Sequence, residues 1–308
     1  MKRALCVGHA VQDFVFSTPQ IPQRAEKHRA TGFSIVGGGP AATAAVAISK
    51  LGGHAQLVAR VGDDVIADAI QRELEGYGVD CRHLNRFPGF QSSVSAVFVD
   101  ARGERLIVNH TDASLPTDPS WLESSVSLEG VDVVLADTRW PEGAIVMLKR
   151  AREAGLPAVL DADVPVPKTI PLLQSATHVA FSMAGLKDYA ECSDEMPDIE
   201  QALRQTAIRL KAWCCVTMGG DGVLIADGRD HQHNLTARTI PAFPVKPVDT
   251  LGAGDVWHGA FALALAEGAD EIAAVKAASA AAAIKVTRPG GRAGAPTRVE
   301  RDSLLEST

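Results

Sequence analysis

No apolar run in this 308-residue chain approaches the ~20 residues that cross a bilayer, so a membrane span is not expected. Cysteine is sparse and unpatterned. Cys6, Cys81, Cys192, Cys214 and Cys215 are odd in number and lack CxxC or Cys/His ligand spacing. That excludes a disulfide framework and a zinc site and fits a reducing cytoplasm. Positive charge is also in deficit: 30 Lys and Arg against 37 Asp and Glu leave a formal net charge of -7. Such a surface offers no basic face to nucleic acid or to an anionic membrane. The start Met1-Lys2-Arg3 has the sign of a signal peptide, but Asp13 interrupts the apolar run that would follow. A first buried strand accounts for it better. There is no internal repeat or low-complexity tract, and the alanine-rich stretch 277–283 reads as a closely packed helix. The expectation is a soluble cytoplasmic protein whose partners are small molecules, with no nucleic acid and no membrane.

A hydrophobic content of 46% supports a sizeable core. Apolar runs of strand length at 4–8, 55–61, 131–137, 158–161, 178–181, 213–217 and 223–226 alternate with helical periodicity at 41–51, 64–77, 142–154, 199–212, 255–267 and 272–286. The alternation predicts an α/β protein with a mostly parallel sheet and helices on both faces. Two segments break the rhythm. Residues 11–36 and 92–110 carry short β patterns without an amphipathic helix, the second reading as a hairpin turning at Ala101-Arg102-Gly103-Glu104. The expected organisation is a core of 1–10, 37–91 and 111–308, with 11–36 and 92–110 as a small β-sheet lid.

The most specific run is Asp249-Thr250-Leu251-Gly252-Ala253-Gly254-Asp255, leading into a helix. Glycines around an alanine free the backbone to aim N–H groups at one point, and the positive helix end faces the same point. An anion would bind there. A carboxylate inside that loop suggests phosphoryl transfer, with Asp255 taking a hydroxyl proton while the amides of Gly252, Ala253 and Gly254 hold developing charge. The helix dipole is expected to keep Asp255 ionised and therefore a weak base.

Other candidates lie where open α/β sheets bind ligands, at strand C-termini. Asp13, after the first strand, could accept hydrogen bonds from sugar hydroxyls. Arg139, following Val134-Leu135-Ala136-Asp137-Thr138, is expensive to place unless it meets an anion or a salt-bridge partner such as Asp137. Asn109, at the end of the hairpin, and Lys27, in the first lid segment, would face the same cleft if the lid folds over it. Thr217, Gly219, Gly220 and Gly222 form a turn suited to phosphate, or simply a hairpin turn. Asp161 and Asp163 could contact Mg²⁺ through water. Gly37, Gly39 and Ala42 also imitate a dinucleotide fingerprint, with Asp63 as a poor acidic partner.

These motifs resemble the ribokinase-like (PfkB) carbohydrate kinases over nearly the whole chain. The resemblance implies a three-layer α/β/α fold with a β-sheet lid, and ATP and Mg²⁺ as cofactors. It gives Asp255 the role of catalytic base and the 252–254 amides that of anion hole. Asp13 and the Gly37 and Gly38 backbone would hold the sugar, and ATP would lie beside the 217–222 turn. Asp249, with carbonyls near Gly291, would hold a monovalent cation such as K⁺. The segments 37–47, 134–140 and 287–294 further resemble the branch of the family that phosphorylates the 1-hydroxyl of 6-deoxy-6-sulfofructose. There Arg139, Asn109 and Lys27 match residues that hold the sulfonate. Ribose or a ketose 6-phosphate remain alternative acceptors, and a homodimer through the lid is a further expectation. One departure stands out: Ser182-Met183-Ala184-Gly185 replaces the family's Asn-x-x-Glu. It leaves open a non-catalytic sugar or nucleotide sensor, while a dinucleotide-dependent dehydrogenase is the other rival.

Overall fold

The computed structural model describes residues 1–102, 104–166, 170–229 and 235–307; Gly103, in the expected hairpin turn, lies outside the described residues. In chain order the elements open with β1 (Arg3–Gly8), β2 (Val11–Ser17), β3 (Gly32–Gly38), α1 (Pro40–Lys50), β4 (His54–Gly62), α2 (Val65–Gly76) and β5 (Asp80–Phe87). Next come β6 (Val94–Val99), β7 (Arg105–His110), α3 (Trp121–Ser125), β8 (Val133–Asp137), α4 (Pro141–Glu153), β9 (Ala158–Ala162), α5 (Ile170–Ser175), β10 (His178–Ser182) and α6 (Met183–Ala190). The chain then runs through α7 (Met196–Leu210), β11 (Trp213–Thr217), β12 (Val223–Asp227), β13 (Arg238–Ile240), α8 (Ala253–Ala266), α9 (Glu271–Val286) and α10 (Arg298–Glu306).

Nine strands form one sheet in the order β13-β12-β11-β10-β9-β8-β1-β4-β5. It is parallel from β5 to β11, and β12 and β13 are antiparallel. Strands buried on both faces need apolar residues at every position, and β8 and β9 are buried throughout. Along β1 the alternation sorts the two faces. Ala4 and Cys6 pack with α1, α2, α8 and α9, whereas Leu5 and Val7 pack with α4, α5, α6 and α7. This gives the three-layer α/β/α arrangement. Helix α8 is buried from Val256 to Ala266 and lies against α1 and α9. A Cβ at Gly259 would stand 2.5 Å from the Ala44 carbonyl oxygen, so the α1–α8 crossing needs that glycine.

The second sheet, in the order β3-β2-β6-β7, is separate. Phe16 packs between Phe33 and Phe98, with ring centroids 5.1 Å and 5.5 Å apart, giving this thin sheet an apolar face of its own. Strand β3 belongs here, paired antiparallel to β2 from Gly32 to Gly38. The glycines 37–39 therefore close a lid strand and not the first strand of a βαβ unit, which removes the dinucleotide reading. Asp63, its acidic partner in that reading, instead lies 3.7 Å from Arg86.

Strand order reverses at β1, whose neighbours are β4 on one side and β8 on the other. Ligands of open α/β sheets bind at such a switch, outside the strand C-termini. Here those ends carry His9, Asp137, Asp161, Ser182 and Thr217.

Candidate active site

One cavity abuts the start of α8, and a second lies between the two sheets. The first, of about 430 Å³, is lined by Thr217, Gly219, Gly220 and Gly222 together with Thr250, Ala253, Gly254, Trp257 and the Ala242–Pro247 stretch. All four residues of the 217–222 turn thus meet the anion loop in one largely apolar pocket. Gly222 is at φ 92, and a side chain there would strike the Ile240 carbonyl at 2.1 Å.

The loop itself turns at Gly252, φ 74, and α8 begins at Ala253. The Ala253 N–H is already donated to the Thr250 carbonyl at 3.2 Å. The amides of Gly252, Gly254 and Asp255 find no acceptor among the described residues. The free donor set therefore shifts from 252–254 to 252, 254 and 255. Arg105 of the lid reaches this loop, its Nη2 donating to Thr250 Oγ1 at 2.8 Å.

Asp255 is half-buried behind these amides. Burial pushes its carboxyl up to about 7, with Asp161 adding, His258 opposing, and Asp137 and Asp163 adding again. Against the expectation of a fully ionised, weak base, burial first and then the neighbouring carboxylates favour the protonated form. Asp161 is buried 3.2 Å from His258 Nδ1, and its Oδ1 has no hydrogen-bond partner among the described residues. Its carboxyl is raised well above the ordinary range, first by burial and then by Asp163 and Asp137. Asp163 is more open: Ser182 Oγ donates to its Oδ1 at 2.6 Å, and Arg139 Nη2 lies 3.3 Å from its Oδ2.

The second cavity, about 580 Å³, is walled by the large sheet at Gly8, His9, Thr138 and Arg139 and by the lid at Asp13, Ser95, Ile107 and Asn109. Asp137 closes its floor by accepting the backbone N–H groups of His9, Ala41 and Arg139 at 2.8, 3.0 and 2.8 Å. Asp13 is buried, and burial raises its carboxyl while Ser95 and Arg292 oppose. Asn109 Nδ2 donates to Ser95 Oγ at 3.1 Å.

The sequence reading missed Arg60. It lines this cleft with its guanidinium 4.7 Å over the Trp140 ring and Nη1 on the Pro116 carbonyl at 2.7 Å. Its signal was a lone cation inside an otherwise apolar strand. Lys27, by contrast, is exposed on the Thr18–Arg29 loop, beside a separate surface hollow, and is not among the residues lining the cleft.

Gly37 and Gly38 are needed for packing. A Cβ at Gly37 would fall 1.6 Å from Arg292 Nη2, and one at Gly38 would fall 2.2 Å from Asp13 Oδ2. The Gly37 N–H donates to Glu73 at 3.2 Å, and the Gly38 carbonyl accepts from Arg292 at 3.4 Å. The Gly37 amide is therefore already engaged within the protein. Arg292, buried, also pairs with Glu73 at 2.9 Å.

At Asp249 the cation expected from outside meets one from the chain. Lys285, 0% exposed, places Nζ 2.7 Å from the Asp249 carbonyl and 3.0 Å from its Oδ2. Leu251 and Gly291 also donate N–H groups to the carboxylate, at 2.8 and 3.0 Å. Burial works against the ionised Asp249, but these bonds and Lys285 outweigh it and hold the carboxyl below its ordinary range.

The Ser182–Gly185 departure has a steric cause. Ser182 caps α6 by accepting from the Gly185 N–H at 2.9 Å, and any Cβ at 185 would lie 2.0 Å from the Ala162 carbonyl. An acidic side chain has no room there.

Comparison with known proteins matches residues 1–298 to the profile of the pfkB family carbohydrate kinases. A ribokinase of Bacillus subtilis is 32% identical over 307 residues, spanning 99% of this chain and 100% of that protein. A candidate ribokinase structure from Agrobacterium tumefaciens superposes with a TM-score of 0.88 at 36% identity, covering 99% of this chain and 98% of that one. An Arabidopsis thaliana ribokinase complexed with ribose and ATP shares the fold, with a TM-score of 0.84 at 24% identity and coverage of 99% and 98%.

Proposed function

The chain belongs to the pfkB family of carbohydrate kinases, a phosphotransferase family of ribokinase-like fold, and from that premise we propose that it phosphorylates a primary hydroxyl of an anionic ketose such as 6-deoxy-6-sulfofructose. The family match displaces the sensor reading left open by the missing acidic residue at 185. ATP, the donor, would lie in the glycine-walled pocket with its phosphates over the free amides of Gly252, Gly254 and Asp255. The acceptor sugar would occupy the lid-walled cleft, oriented by Asp13.

The observation that carries the reading is the place of Asp255 in the first turn of α8, where the N–H groups of 252, 254 and 255 have no acceptor among the described residues beside the glycine-walled pocket; burial pushes its carboxyl up to about 7. Its neighbours 253 and 254 line the donor pocket. The carboxylates acting on it end β8 and β9, beside the cleft residues Thr138 and Arg139. A base with a pKa near the working pH combines the right protonation state with useful driving force. Asp255 takes the proton of the attacking hydroxyl, and the amides stabilise charge on the transferred phosphoryl group.

Mg²⁺ fits the donor chemistry. Among the described residues no cluster of three or more His, Cys, Asp or Glu forms a metal cage. Mg²⁺ bound to a nucleotide keeps several waters and needs one or two carboxylates. Asp163, with Asp161 and its unpartnered Oδ1 behind, would hold it through water. When bound, the ion neutralises charge on the donor phosphates.

Cationic groups lining the cleft support an anionic acceptor. The Arg139–Asp163 pair is partly exposed and at 3.3 Å, the kind of pair that contributes little in water. An incoming oxyanion can therefore recruit the guanidinium, with Asn109 and Arg60 beside it. A ribose kinase is the second reading, favoured by the 32% identity to the Bacillus ribokinase. An ADP-release screen across 6-deoxy-6-sulfofructose, fructose 6-phosphate, tagatose 6-phosphate, fructose and ribose separates them. The anionic reading expects the highest kcat/KM for a charged ketose and is rejected if ribose leads.

A homodimer through the lid is part of the proposal, supported by Phe33 and Ile35 on one edge strand and Ile107 and Val108 on the other, all exposed. The five free cysteines support a reducing, cytoplasmic setting.

A further inference from the structure

Asp249 and Lys285 bring opposite charges together at a place where the family resemblance implies an inorganic monovalent cation. The residues do not fit such an ion. Lys285 is fully buried, and its ammonium already lies 2.7 Å from the Asp249 carbonyl and 3.0 Å from Oδ2. A second cation on the same oxygens would meet that ammonium at contact distance, and like charges that close repel strongly away from water.

The placement follows from the fold. Lys285 is the penultimate residue of α9, whose C-terminal carbonyls favour a cation. The segment leading to the anion loop crosses that helix end, with the Val248 and Asp249 N–H groups both donating to the Val286 carbonyl at 2.6 and 3.0 Å. On its other side the Asp249 carboxylate accepts from Leu251 and Gly291. The Lys285 ammonium thus fastens Asp249, at the start of the loop, to the end of α9, and the Asp249 carboxylate ties both to the 290–292 turn through Gly291.

We infer that Lys285 is a built-in cation: its ammonium does for the anion loop what an external monovalent ion would do, and this kinase needs none. Lys285 is a positioning residue, acting through Asp249 on the amides that receive phosphate. The inference rests on the kinase reading but not on the identity of the sugar.

The test compares potassium with tetramethylammonium, which is too large to enter. The wild-type protein should show equal turnover in the two salts, using whichever acceptor the ADP screen identifies. It should also show equal melting temperatures, because an ion that does not bind the native state cannot stabilise it. Thallium(I), a potassium mimic read by its NMR signal, should find no protein site. Lys285→Ala should lose turnover by about 10²-fold in tetramethylammonium, as misplaced catalytic groups do. Potassium or ammonium should restore it and raise the variant's melting temperature, whereas lithium, which is too small, should not. A merely structural lysine would give no such ion selectivity.

Potassium activation of the wild type, or a bound thallium signal in it, overturns the inference. So does a folded Lys285→Ala variant that potassium leaves inactive. If that variant does not fold in either salt, the wild-type arms decide alone. The melting and thallium arms need no acceptor, so they stand even if the sugar assignment fails.

Discussion

The glycine-walled pocket beside α8 and the cleft between the two sheets are built by opposite means. The donor side is walled by glycine, alanine and proline and presents backbone amides, with Trp257 as its large ring. The cleft presents side-chain charge from distant segments: Asp13 on β2, Arg60 on β4, Asn109 on β7 and Arg139 after β8. On the proposed reading, one side would recognise a ligand part that all the substrates share, and the other would discriminate. Backbone suits the first task because it tolerates sequence change, and side chains suit the second because they can be exchanged.

The sharpest test concerns Asp255, which is proposed to act between the two. Asp255→Asn should lower kcat by ~10²–10⁴-fold, the range for a positioned general base, with KM for ATP little changed. The wild-type kcat/KM should rise with pH through about 7, as the carboxyl loses its proton, and the variant should lack that limb. Its stability should move the other way. Because the folded-state pKa is raised, the native protein holds a proton that the unfolded chain releases between the ordinary carboxylate range and about 7. Stability from that proton is complete at low pH and lost as pH rises through about 7, so the variant should melt higher than the wild type at pH 8 and about equally near pH 4. An unchanged pH profile would remove Asp255 from the proton transfer.

Next in size comes a pair of glycines, Gly37 near the end of β3 and Gly254 in the pocket wall. Gly37→Ala drives a methyl into the Arg292 guanidinium and should destabilise the protein by roughly 2–4 kcal/mol, read from urea unfolding. Gly254→Ala meets nothing within 4 Å and should leave stability within about 0.5 kcal/mol while raising the KM for ATP. Equal stability losses would erase the contrast. Arg139→Ala should lower kcat/KM for an anionic ketose by roughly 10- to 100-fold, as loss of a charge-assisted hydrogen bond does, with little change for a neutral sugar. The smallest expected effect is Lys27→Ala, which should leave both kinetic constants unchanged because its loop lies apart from the cleft.

Legibility in the sequence followed the same division. The 249–255 loop and the 217–222 turn are contiguous, so their residue order alone reveals their shape. The strands of the large sheet were readable because burial on both faces demands unbroken apolar runs, as in β8 and β11. Strand β5 was not, since at the sheet edge it mixes Asp80, Arg82, Asn85 and Arg86 with half-buried positions. Helix α10 was missed for a similar reason: only Arg301 of its nine residues is buried. The raised carboxyl of Asp255 could not be read from its own helix, because burial in the fold and carboxylates at the ends of other strands cause it. Lys285 left a faint signal, a single charge in the last turn of an alanine-rich helix. Its partner, 36 residues earlier, is visible only in three dimensions.

Arg292 gives the lid its mechanics. By gripping the Gly38 carbonyl and Glu73 at once, it pins one end of β3, while the opposite end of the lid meets the body through the exposed Arg105–Thr250 contact. The first is a pivot and the second a latch. At ~3.3 Å per residue, the β3 tip at Gly32 lies about 20 Å from the pivot, so a swing of about 20° would carry it roughly 7 Å. Asp13, paired with Val36 close to the fulcrum, hardly moves. On the proposed reading, such a lid would open while keeping its handle on the sugar.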